Sequence, residues 1–250
     1  MLLDKSMPGM TVTLYPIRSC NTYRVNIKIE PCRVLGSDDP TELYRYSKKP
    51  YHKLREISDL YLAELHIPGG IDAVAISRCN LTCNLVFAHQ DYVDTYLRIL
   101  KKSRLIPDYK AVRFSRHEKK AKDPKRANKH SYCIRCSQAA FLCYDKIDQL
   151  KMVGRCAEEL EGCSVLRLEA QLKRQALKRQ LGKKAMQDNA SILKAATAQA
   201  YSVVASFLAR MFPCHSPHLR YEDIVAYSEF LPPTPEYVCI SFDTYEHPPV

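Results

Sequence analysis

Four segments of the chain alternate polar and apolar residues with period two, the signature of a strand with one packed face. In Tyr23–Glu30, residues Tyr23, Val25, Ile27 and Ile29 oppose Arg24, Asn26, Lys28 and Glu30. In Ile76–Phe87, Cys79, Leu81, Cys83, Leu85 and Phe87 oppose Arg78, Asn80, Thr82 and Asn84. In Val165–Lys173, Leu166, Leu168, Ala170 and Leu172 oppose Arg167, Glu169, Gln171 and Lys173. Phe141–Lys146 alternates more loosely and puts Tyr144 and Lys146 on one face.

Helical periodicity fills the intervals. Leu54, Ile57, Tyr61 and Leu65 share a face over 52–66, and Val93, Tyr96, Leu97 and Leu100 do so in the next helix, which Asp91 opens. A long helix over 188–212 carries Ile192, Ala196, Val203, Phe207 and Met211, and Pro213 stops it. The element order predicts an α+β fold: a mostly antiparallel sheet, helices on its apolar face, an open polar face, and a C-terminal helical segment. The division expected is 1–185 and 186–250, the latter ending in an irregular, proline-containing acidic tail. Ser115–His130 is too basic and too poor in apolar residues to pack, and reads as a flexible loop.

Composition narrows the class. No uninterrupted apolar run approaches the roughly 18 residues of a membrane span, and the N-terminus lacks the apolar core of a secretory signal. A cytoplasmic protein with no membrane partner is expected. Its 11 cysteines then read as buried thiols rather than disulfides. Zinc is the competing use. Cys133-x-x-Cys136 has ligand spacing, with Cys143, Cys156 and Cys163 behind it, but the first two fall on opposite faces of an extended segment. The Cys214, His215, His218 group is a weaker candidate. A net charge of +11 favours an anionic partner, nucleic acid first. Its densest run includes Lys119, Lys120, Lys122, Lys125, Arg126 and Lys129, and a second cluster runs from Arg167 to Lys184.

The segments SYCIRCSQAAFLCYDKIDQL (131–150) and VLRLEAQLK (165–173) carry the most specific pattern. A Tyr-Asp-Lys-x-x-acid segment followed by a Leu-Arg-x-Glu-x-x-Leu-Lys strand resembles the replication initiators of one class of rolling-circle plasmids. It is similar also to phage replication proteins of the gene II/X type. ISRCNLTCN (76–84) is similar to their Arg-x-Asp-Leu-Thr-x-Asp strand, and YRVNIKIEP (23–31) stands where they have another. The resemblance covers roughly residues 20–185, in matching order.

The resemblance implies an enzyme that nicks origin DNA through a tyrosine, keeping a 5′-phosphotyrosyl link and freeing a 3′-hydroxyl for rolling-circle synthesis. Tyr144 matches that nucleophile. Lys146 is the implied stabiliser of phenolate or phosphate. Glu169, Asn80 and Asn84 match positions around a divalent ion, magnesium or manganese. Arg78, Arg135, Arg167, Lys173 and the basic loop are the expected contacts to single-stranded or hairpin origin DNA, with host replication proteins as further partners. Two family acids are Asn80 and Asn84 here and a third is Gln149, each keeping an oxygen and losing a charge. The alternative is therefore a catalytically silent DNA-binding relative. The plainest readings are Tyr144 as an ordinary strand tyrosine and Arg167–Glu169 as an ion pair.

Overall fold

The computed structural model describes residues 7–17, 22–112, 130–155, 160, 162–213 and 237–246. In chain order the strands are β1 (Met10–Ile17), β2 (Thr22–Ile29), β3 (Arg78–Phe87), β4 (Lys110–Ala111), β5 (Ser131–Arg135), β6 (Ala139–Asp145), β7 (Ser164–Lys173) and β8 (Tyr237–Glu246). The α-helices are α1 (Pro31–Val34), α2 (Lys48–Glu64), α3 (Gln90–Lys101), α4 (Lys146–Met152), α5 (Arg174–Leu181) and α6 (Asn189–Met211). The fold is α+β, with a mostly antiparallel sheet and a C-terminal helix. The chain forms two compact units: residues 1–81, 172–200 and 237–250, and residues 82–171 and 201–236.

In the first unit β2 pairs antiparallel with β1 on one side and β8 on the other. Alternation works as expected in β2: Ile27 and Ile29 are buried, while Arg24 and Lys28 face water. Tyr23, on the apolar row, is exposed near the strand's start. β8 corrects the expectation of an irregular tail. The prolines at 232, 233 and 235 mask the segment that follows, yet Val238, Ile240, Phe242 and Thr244 give it the β-branched and aromatic content of a strand.

α2 buries Tyr51, Leu54, Ser58, Tyr61 and Leu62, a stripe shifted one turn N-terminal of the expected face. Its end is held in the next loop. Asp59 accepts the Ile71 backbone N–H at 2.7 Å. Gly70, at φ +65, is needed there because a β-carbon would lie 2.3 Å from that carboxylate. Asn189 spends its amide on two carbonyls of the same loop, Ile71 and Val74, each at 2.8 Å.

In the second unit the strand order is β3-β7-β6-β5-β4. β5 and β6 form an antiparallel hairpin, closed by Cys136 N–H donating to the Ala139 carbonyl at 2.8 Å. Phe141 of β6 stacks on Phe207 of α6 with centroids 5.0 Å apart and planes 3° apart, and Tyr109 meets Phe207 edge-on. α6 is long and apolar enough to cross a membrane by length and composition, a run the sequence reading passed over because Lys194 and several amides and hydroxyls interrupt it. Its buried residues, among them Ile192, Leu193, Ala196, Ala200, Val203, Val204, Phe207 and Met211, form one stripe. One-sided burial is the pattern of a helix laid on a core.

The polar row is less open than alternation implies. Asn80 is 7% exposed, Thr82 1%, Arg167 7% and Glu169 8%. Strand period sorts side chains between faces; it does not set how much solvent reaches a face.

Candidate functional site

The site lies on three strands of the second unit, β3, β7 and β6, adjacent in that order. Arg167, Glu169 and Gln171 stand at alternate positions of β7 and therefore on one face. Burying an ionisable group in a sheet demands partners, and each is supplied. Tyr144, half-buried near the end of β6, donates its hydroxyl to Glu169 Oε2 at 3.1 Å. Gln171 Nε2 donates to the other carboxylate oxygen at 2.8 Å. Arg167 Nε donates to Asn84 Oδ1 of β3 at 2.8 Å. Tyr144, Glu169, Arg167 and Asn84, drawn from three separate sequence segments, thus meet on one run of adjacent strands.

Lys146 is placed differently from expectation. β6 ends at Asp145, and Lys146 is the first residue of α4, so strand alternation no longer sets it beside Tyr144. The turn happens here because Asp145 is an N-cap: its Oδ1 accepts the Asp148 backbone N–H at 2.9 Å. Its Oδ2 accepts from Gln90 Nε2 at 2.6 Å. Lys146 Nζ donates to Gln149 Oε1 at 2.8 Å, the i to i+3 reach of a first helical turn. The Tyr-Asp-Lys-x-x-Gln spacing is thus last strand position, cap and first turn.

The residues matched to a divalent ion do not fit one. Asn80 and Asn84 are four residues apart on β3, about 13 Å at strand rise, too far for two amide oxygens to share an ion. Asn84 presents its oxygen to a guanidinium, whose charge repels a cation. Glu169 is the one carboxylate of the three and already receives Tyr144 and Gln171. A hard dication takes several oxygens, with charge among them. Among the described residues no group of three or more His, Cys, Asp or Glu gathers to hold a metal, which bears equally on zinc. Cys79, Cys83, Cys133 and Cys143 are buried, as packed thiols are, and Cys136 is partly so.

Of the expected DNA contacts, Arg167 belongs to the site itself. Arg78 opens β3, half-buried. Arg135 closes β5, exposed and opposite Lys110 of β4. Lys173 closes β7, exposed, and precedes the basic helix α5. Lys119, Lys120, Lys122, Lys125, Arg126 and Lys129 lie outside the described residues, as do Cys156, Cys214, His215 and His218. Gln171 and Gln90 escaped the sequence reading. Gln171 had a signal, standing two residues from Glu169 on the polar row; Gln90 had none, since only folding brings it to Asp145. No family model, curated protein or solved structure matches this chain.

Proposed function

We propose that this chain is a replication initiator of the rolling-circle type, which nicks single-stranded or hairpin origin DNA through Tyr144. The observation that carries the reading is the Tyr144–Glu169 hydrogen bond, a phenol on a buried carboxylate, joining the two residues that the sequence motifs single out. In the reaction the Tyr144 oxygen attacks phosphorus, and its proton passes to Glu169. The bond from phosphorus to the 3′ oxygen breaks, and that oxygen leaves with a proton from water. The product is a 5′-phosphotyrosyl link and a 3′-hydroxyl, the end a polymerase extends.

A free phenol and a free glutamate differ by roughly six pKa units, about 8 kcal/mol against full proton transfer. Transfer must therefore accompany attack, as general-base catalysis does. Arg167, two residues from Glu169 on the same face, brings positive charge for the phosphate. No step is assigned to a divalent ion.

The test is incubation of the full chain with a labelled single strand containing its origin, with and without Mn²⁺. A denaturant-resistant protein–DNA adduct is expected, abolished in Tyr144→Phe and slowed by about 10² to 10⁴ in Glu169→Gln. Absence of an adduct from the unaltered chain on its true origin sinks the nicking role.

A second reading has its own support. The amide oxygens of Asn84 and Gln149, at family acidic positions, are engaged by Arg167 and Lys146. That arrangement suits a protein that keeps the fold and binds origin DNA without cutting it. It predicts salt-sensitive binding, equal in wild type and Tyr144→Phe, with no adduct from either.

A further inference from the structure

Beyond the Tyr144–Glu169 pair, the second unit carries a set of aromatic rings turned to solvent. Phe87 ends β3, and Tyr92 and Tyr96 lie one turn apart on α3. The Phe87 ring stacks with Tyr92 at 6.0 Å and 24° between planes, and with Tyr96 at 5.2 Å and 29°. His89 lies 6.1 Å from Tyr92. Tyr92 is 51% exposed and Tyr96 38%, while Val93, Leu97 and Leu100 of the same helix are buried. The core face of α3 is therefore already supplied, and the tyrosines lie outside it. Rings held near parallel with flat faces toward water have the shape and polarisability that take a nucleobase.

The cluster adjoins the candidate nucleophile. Gln90, in the chain between His89 and Tyr92, donates to Asp145, and Asp145 follows Tyr144. The surrounding charge suits a base better than a phosphate. Asp91 is exposed at the start of α3. Asp94 lies 3.9 Å from His130 Nδ1 and acts on Lys101 through space. Arg98 is exposed one turn further on. Carboxylates there would repel a tightly clamped backbone; they do not prevent a ring from stacking on a ring. The chain's net charge of +11 provides the long-range attraction that brings a strand in.

We propose that Phe87, Tyr92 and Tyr96 form a base-stacking platform for unpaired nucleotides of the strand that reaches Tyr144. The inference rests on the DNA-binding role proposed above and assigns the unpaired bases their place. Stacking contributes independently of base identity, so the platform selects single strands over duplex and not one sequence over another.

The test is equilibrium binding of the full chain to three labelled probes of one length: a thymidine strand, the same strand with abasic sites throughout, and a duplex. The unaltered chain is expected to prefer the thymidine strand over the abasic one by tenfold or more. The double variant Tyr92→Leu/Tyr96→Leu keeps apolar surface and removes the rings. It is expected to lose about tenfold or more on the thymidine strand and nothing on the abasic one, while Tyr92→Phe/Tyr96→Phe binds as wild type does. Equal affinity of the unaltered chain for the thymidine and abasic strands overturns the platform without needing any variant. So does unchanged binding by the leucine variant, which marks the patch as one that faces a protein instead. A Tyr144 adduct alongside either result leaves the nicking role standing; no binding of any probe by the unaltered chain removes both.

Discussion

Tyr144 and Asp145 are chain neighbours with opposite surroundings. Strand alternation turns the phenol toward Glu169 and the carboxylate inward, where it meets Gln90 and the start of α4. The same alternation sorts the cysteines, and their chemistry follows. Burial pushes the Cys133 thiol up to about 11, and the fully buried Cys143 thiol well above its ordinary value. Burial also raises Cys136, but the Gln138 backbone, the Tyr109 hydroxyl and the Ala139 backbone together bring it below the usual cysteine value. A thiolate reacts where a thiol does not, so the thiol with the lowest pKa is alkylated first as pH rises. Iodoacetamide labelling followed by peptide mass spectrometry from pH 7 to 9 is expected to modify Cys136 ahead of Cys133 and Cys143. Equal labelling of Cys133 in the folded chain would contradict this placement.

At the scale of elements, the junction of β6 and α4 shows what a motif's spacing records. Read as a strand, Tyr144 and Lys146 share a face; with Asp145 as a cap, Lys146 turns away into a first helical turn with Gln149. Alternation from Phe141 to Tyr144 made the strand legible. A capping aspartate followed by Lys-Ile-Asp-Gln-Leu was also legible as a helix start, but tyrosine and lysine two apart drew the strand too far. Asp145→Ala removes the cap and the partner of Gln90. A loss of about 1–2 kcal/mol is expected, seen as a lower urea midpoint with unchanged slope. Asp145→Asn, which retains a capping oxygen, is expected to lose less. The opposite error occurs at β8, where prolines upstream concealed a regular strand.

At the scale of the whole molecule, the positive charge sets how DNA binding should respond to salt. Each cation on a phosphate of a single strand contributes about 0.7 to the slope of log affinity against log salt. Neutralising Lys119, Lys120, Lys122, Lys125, Arg126 and Lys129 to glutamine is expected to flatten that slope by about 0.7 for each one that contacts DNA. Affinity at low salt should fall without changing the preference for single strands, which the ring platform supplies. Titrations of a labelled strand at several salt concentrations measure this; an unchanged slope means the loop does not contact the backbone.

The α+β class, β2, β3, β7, the two long helices and the polar row bearing Arg167, Glu169 and Gln171 were determined by the sequence itself. Hydrophobic periodicity is local, and burial needs only a face to act on. Tertiary structure decided which rows become neighbours. It set Glu169 against Tyr144 across 25 positions and Arg167 against Asn84 across 83. It spent the amides on cations where oxygens for a metal were expected, and it joined Gln90 to Asp145. It also closed most of the polar face to water. These are pairings between distant segments, and no periodicity within a segment encodes them, because strand order and register arise only when the sheet assembles.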